Sequence, residues 1–173
     1  AFFDEQEIRD IMQKAANDLK PIFITFFNTG IRLGELCNLM WSDVDFKNRK
    51  LLIREPKNRH EHFIDINDTL FTISKALKSK SKSDYVFVNS IGNKYKENKL
   101  GDKIRAFGKK YNINNCSPHV FRHTFVSLLA KNGYSLDMIC KIVNHRSSVI
   151  TQIYYHCCPE ELRDALQSLN NLF

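Results

Sequence analysis

A chain of 173 residues, 43% of them apolar and 12% aromatic, has the length of one domain and enough apolar material for a real core. No apolar run approaches the roughly 20 residues of a membrane helix, no signal peptide is visible, and the five irregularly placed cysteines lack CxxC metal spacing; these observations point away from a membrane protein and a disulfide scaffold and toward reduced thiols in the cytoplasm. The formal charge of +7 points to a polyanionic partner, with nucleic acid first.

Asp4 and Glu7 have the spacing of a capping box, and Ile8, Ile11, Met12 and Ala15 mark one face of the helix that follows. Asn17-Asp18 ends it. Pro21 opens a second segment whose apolar residues (Ile22, Phe23, Ile24, Phe26, Phe27) cover the whole circumference, the pattern of a central buried helix. Thr29-Gly30 is a stop. Leu33, Leu36, Leu39 and Met40 then face inward at helical spacing, with Arg32 at the helix start. There Arg32 can meet an anion or pair with Glu35 three residues on.

Residues 50–55 and 62–66 read as strands joined by a basic turn containing Lys57, a residue type that most often is simply solvated in turns. Asn67 or Asp68 caps a helix to about Lys78, and 78–82 is a basic, exposed connection. Residues 85–88 read as a short strand. Residues 96–111 form a helix with Leu100, Ile104 and Phe107 inward and lysines outward. A helix from Pro118, with Ser117 as its cap, sends Phe121, Phe125, Leu128 and Leu129 inward and ends at Asn132-Gly133. Ser135 caps the next helix (Leu136, Ile139, Ile142, Val143), 147–156 forms another, and Pro159 opens the last, with Leu162, Ala165, Leu166, Leu169 and Leu172 in a stripe. The fold class is mainly α with a small antiparallel β-sheet, and no repeat or second domain is visible.

Chemistry concentrates in residues 117–156. His119 and Arg122 share a helix face at a spacing of three, His145 follows in a turn, and Tyr154 and Tyr155 lie one short helix further on. Two nitrogen bases, a guanidinium and a phenol in one short segment suggest a phosphate-handling site with an oxygen nucleophile. Singly, each is more often structural: a satisfied histidine, an ion-paired arginine, a core tyrosine.

Together these residues resemble the catalytic domain of the tyrosine recombinases, the phage-integrase family that includes the Xer recombinases. Thr29-Gly30-Ile31-Arg32-Leu33-Gly34-Glu35-Leu36 is similar to the family's TGxRxGEL box, and His119-Val120-Phe121-Arg122-His123 to its HxxRH box. Val143-Asn144-His145 through Tyr154-Tyr155-His156 is similar to its LGH…TxxYxH box, with Val-Asn in place of Leu-Gly. Lys57 lies in the hairpin turn where the family has its lysine, with Arg54 and Arg59 as neighbours in register. The family spaces its nucleophile one residue before histidine, and His156 makes that Tyr154.

The resemblance implies a site-specific recombinase or integrase that cuts and rejoins DNA through a 3′-phosphotyrosyl intermediate, without cofactor, metal or ATP. Its catalytic set is Arg32, Lys57, His119, Arg122, His145 and Tyr154. Arg32, Arg122 and His145 bind phosphate, Tyr154 attacks, His119 takes its proton and Lys57 protonates the leaving oxygen. His123, one position past Arg122, points elsewhere on the helix and reads as structural, and Glu35 as orienting an arginine. His60, His62, Cys157 and Cys158 lack metal spacing.

The resemblance further implies a C-terminal catalytic domain of a longer recombinase, without its N-terminal core-binding domain, that binds double-stranded DNA through lysines of 96–110, the hairpin tip and 78–82. It implies a cytoplasmic, nucleoid-associated protein that forms a homotetramer on two sites and passes through a Holliday junction, the isolated domain being monomeric. The C-terminal stripe docks either into a neighbour or onto its own domain. A type IB topoisomerase shares the catalytic set, and an inactive DNA-binding module is the reading outside catalysis; the LGH-like box and the tail after the tyrosine favour the recombinase.

Overall fold

The computed structural model describes residues 1–55, 60–143 and 159–173. These form a mainly helical body with one three-stranded antiparallel sheet. Helix α1 (Glu5–Lys14) starts at the expected capping box: the Asp4 carboxylate accepts from the Glu7 N–H at 2.8 Å, and the Glu7 carboxylate accepts from the Asp4 N–H at 2.9 Å. Its buried residues are Ile8 and Ile11, the inward face of the periodicity.

Helix α2 (Lys20–Thr29) is buried from Ile22 through Thr29. With no polar face to turn to water, it becomes the axis on which the rest packs. Its main partner is α6 (Pro118–Lys131). Phe23, Phe26 and Phe27 surround the ring of Phe121 at centroid separations of 4.7, 5.6 and 4.8 Å. Aromatic packing of this kind adds roughly 0.5–1.5 kcal/mol per pair beyond the area it buries. Gly30 ends α2 in the left-handed conformation, φ +62°, and turns the chain into the short α3 (Leu33–Cys37).

Strands β1 (Val44–Asp45), β2 (Lys50–Glu55) and β3 (His60–Asp65) pair in sequence order. Leu51, Ile53 and Ile64 face the core. The outer face carries the cross-strand pairs Lys50–Asp65, Leu52–Phe63 and Arg54–Glu61. The third strand begins at His60 rather than at 62, so pairing with β2 extends to Glu55 and only 56–59 separate the strands.

Helix α4 (Asp68–Lys80) is capped by Asn67, whose side chain accepts from the Leu70 N–H. It runs two residues past Lys78, taking in the start of the expected basic connection. The expected strand at 85–88 does not form. Tyr85 makes a single bridge to Met40, and Val88 one to Lys94. Met40 leads directly into a 3-10 turn (Trp41–Asp43), so the neighbouring segment has no extended stretch to pair with.

Helix α5 (Glu97–Lys110) buries Leu100, Ile104 and Phe107 and leaves Lys96, Lys99, Lys109 and Lys110 exposed. Ser117 occupies the N-cap of α6 in extended backbone, but its hydroxyl makes no capping bond; Pro118 begins the helix instead. Helix α7 (Leu136–Val143) buries Ile139, Ile142 and Val143, while Leu136 is exposed. The helix expected at 147–156 lies outside the described residues.

Helix α8 (Pro159–Gln167) closes the body. Ala165, Leu166 and Leu169 are buried in the chain's own core, and Phe173 stacks on Phe27 with centroids 5.5 Å apart. Asn67 donates from its side chain to the Asn28 side chain at 2.7 Å and to the Leu166 carbonyl at 3.0 Å, joining α2, α4 and α8. Ala165, Leu166 and Leu169 of the expected stripe are thus covered by the chain's own core.

Candidate active site

The stop at Gly30 and the start of α6 bring three of the six expected residues, Arg32, His119 and Arg122, onto neighbouring elements. Arg32 is the N-cap of α3. Its conformation is held by Glu35, whose side chain is only 5% exposed. One Glu35 oxygen accepts from the Arg32 backbone N–H at 2.9 Å, and the other faces the Arg32 guanidinium at 3.3 Å. The i,i+3 ion pair is thus present. Arg32 itself remains 42% exposed, so its remaining N–H groups are open to a ligand.

Arg122 is the opposite case: it is 7% exposed. Its guanidinium spans two backbone carbonyls, donating through one nitrogen to Gly30 and through the other to Val143 at 2.8 Å. A planar fork with five fixed donors can hold both anchors and still present N–H groups elsewhere, which an ammonium cannot do. Burial, and then the nearby charge of Arg32, push the Arg122 guanidinium down to about 10; Glu35 acts the other way. It stays cationic near neutrality. Two guanidiniums that disfavour each other, offset by a single carboxylate paired with Arg32, leave positive charge that an anion would relieve.

Glycine 30 is required here twice over. Its φ lies in the left-handed region, and a Cβ built on it would stand 2.4 Å from Cδ1 of Phe125, on the helix of Arg122. The close approach lets the Gly30 carbonyl reach the arginine. Val143, the second anchor, is the last residue of α7 and lies two positions before His145. Neither carbonyl is visible in sequence patterns, because any residue type supplies one.

His119 is exposed on the first turn of α6. His123 points away from Arg122, which is buried while His123 is exposed, and its ring lies 4.4 Å from that of His119 between centroids, tilted by 51°. The i,i+4 spacing carried that signal. Burial, then His119, hold His123 below the usual histidine range. Lys57, His145 and Tyr154, together with Tyr155, lie outside the described residues. Among the described residues no group of three or more His, Cys, Asp or Glu is arranged to hold a metal, and no helix is long and apolar enough to cross a membrane.

The model of the phage integrase family matches residues 1–161. Tyrosine recombinase XerA of Pyrococcus horikoshii is 33% identical over 171 residues, covering 94% of this chain and 59% of that protein. A crystal structure of XerA recombinase superposes with a TM-score of 0.77 at 28% identity, over 98% of this chain and 65% of that one. The integrase of transposon Tn1549, solved in complex with a circular intermediate DNA, has the same fold, with a TM-score of 0.77 at 21% identity over 98% of this chain and 66% of that one. The chain spans about three fifths of the length of XerA of Pyrococcus horikoshii. With the arginine boxes on adjoining elements, a mainly helical body beside a small antiparallel sheet, and a family match over nearly the whole sequence, this chain belongs to the phage integrase family.

Proposed function

We propose that this chain is the catalytic domain of a site-specific DNA recombinase that cuts and rejoins strands through a 3′-phosphotyrosyl intermediate. The observation that carries the reading is the pair of guanidiniums: Arg122 buried and held by two carbonyls, Arg32 half-exposed and braced by Glu35. A phosphodiester repels nucleophiles by its charge. Two guanidiniums on its non-bridging oxygens offset that charge and grip it more strongly as it grows in the transition state.

The phenolate of Tyr154 attacks phosphorus, forming a P–O bond to tyrosine and breaking the bond to the 5′-oxygen. The phenol proton passes to His119, and the departing 5′-oxygen takes a proton from Lys57. His145 donates to a phosphate oxygen. The phosphotyrosyl ester conserves the energy of the broken diester, so the 5′-hydroxyl of a second strand reverses the step on a new partner. Protein side chains supply the charge and the proton transfers.

Double-stranded DNA is the substrate this chemistry fits. The exposed lysines of α5 and its N-cap (Lys99, Lys109, Lys110 and Lys96) suit phosphate contacts that give salt-dependent affinity with little sequence information. The DNA complex of the Tn1549 integrase, an enzyme of the same fold, supports this reading. Exchange between two sites needs four cleavages, one per active site, and so a homotetramer passing through a Holliday junction, assembled from chains that are monomeric when free. Such a protein works on cytoplasmic, nucleoid DNA.

The test is a nicked suicide DNA substrate, which traps the covalent adduct on a denaturing gel, with candidate sites taken from the DNA flanking the gene. The adduct forms with the wild-type protein and Tyr155→Phe and is lost in Tyr154→Phe. Loss in Tyr155→Phe alone moves the nucleophile by one residue. DNA binding without an adduct in any form overturns the catalytic reading.

A further inference from the structure

Two imidazoles stand together on the exposed side of α6. His119 and His123 are one helical turn apart, their ring centroids are separated by 4.4 Å, and both residues are exposed. Arginine 122, three residues past His119, takes no part, because its guanidinium is committed to Gly30 and Val143 in the interior.

We propose that His119 and His123 form a two-imidazole chelate for a divalent transition-metal ion of the zinc or copper type, and that the bound ion blocks the site rather than serving it. Imidazole nitrogens suit these ions, and zinc–nitrogen bonds of about 2.0–2.1 Å bring two such rings into the proximity seen here. Water fills the remaining positions, since no third His, Cys, Asp or Glu among the described residues joins the pair. The ion takes a lone pair of His119, so metal and proton transfer compete for one ring. That consequence rests on the role given to His119 above; the chelate does not.

The experiment is a titration of the ¹⁵N-labelled 173-residue chain with zinc chloride at pH 7.5, following the histidine ring nitrogens. The rings of His119 and His123 shift together and saturate at one zinc per chain. In His123→Gln the His119 ring responds only at zinc concentrations at least about tenfold higher, and His119→Gln does the same to His123. Zinc that shifts other groups while leaving these two rings unmoved overturns the proposal. So does an unchanged response of the remaining ring in either variant. The suicide-substrate assay then separates the two ideas. Zinc suppresses the wild-type adduct and spares that of His123→Gln. A chelate seen on the rings with an adduct indifferent to zinc removes His119 as the base and leaves the metal site standing.

Discussion

The Arg122 guanidinium donates to the backbone carbonyl of Gly30, 92 residues earlier in the chain, and so ties the helix of the second arginine to the turn that presents the first. Together with its bond to Val143, this makes Arg122 a structural strut in addition to the phosphate ligand proposed above. Arg122→Ala leaves two buried carbonyls without their donor, at about 1–3 kcal/mol for each. Arg122→Lys restores charge but cannot span both anchors and still face a phosphate. Both variants are expected to lower the urea midpoint, the alanine more, and both to slow adduct formation by about 10²–10³. A lysine variant that cleaves at the wild-type rate contradicts the forked geometry.

Gly30→Ala tests the same contact from the other side. Its Cβ would meet the Phe125 ring at 2.4 Å, on a backbone already at φ +62°. The combined clash and strain are expected to cost about 1–3 kcal/mol. Pairing the change with Phe125→Leu makes room for the methyl group, so the double variant should be more stable than the sum of the two single losses. Strict additivity in a double-mutant cycle would show that the ring is not the obstacle.

Burial pushes the thiols of both Cys37 and Cys116 up to about 11, from an ordinary value of 9.0. Between pH 9 and 11 the unfolded chain therefore loses these protons while the folded chain keeps them. Stability is present below pH 9 and falls as pH rises through that window, by on the order of 2 kcal/mol for each thiol. Cys116→Ala should flatten the alkaline decline of the urea midpoint between pH 9 and 11. In the native protein at pH 8 both thiols should resist a thiol reagent; labelling at the rate of a free cysteine would place them at the surface.

Most of the helical body was legible because its signals are local and redundant. The Asp4–Glu7 box, Pro21 and Pro118 at helix starts, and the stop at Gly30 each act within one turn of chain. The all-round apolar run at 22–27 announced its own burial. The strand expected at 85–88 failed because apolar β-formers need an extended partner, and Met40 turns away after a single bridge. At the site, Arg32, His119 and Arg122 were legible as motif residues. The carbonyls of Gly30 and Val143 that hold Arg122 were not, since a backbone acceptor leaves no trace in residue type. His123 points away from Arg122 as its position implied, but its closeness to His119, one turn back, was not drawn from the i,i+4 spacing.

Arg54 is expected to act through the hairpin that leads to Lys57. Its Nε donates to the Asp43 carboxylate at 2.7 Å, and a second nitrogen donates to Glu61, directly across the sheet, at 3.1 Å. The Asp43 side chain is 1% exposed and otherwise accepts from the Met40 N–H at 3.1 Å, so Arg54 fastens both strands to a buried anchor beside the 3-10 turn. Arg54→Leu leaves that carboxylate short of a partner, at about 1–3 kcal/mol, and loosens β2 at its penultimate residue. If the turn delivers the proton to the leaving 5′-oxygen, the defect depends on the leaving group. A DNA substrate with sulfur at the 5′-bridging position departs without protonation, so Lys57→Ala, slowed by about 10²–10⁴ on ordinary DNA, should recover most of its rate. Arg54→Leu should recover in parallel, though from a smaller loss. Recovery of Lys57→Ala alone would confine Arg54 to stability, and recovery of neither would take proton delivery away from the hairpin.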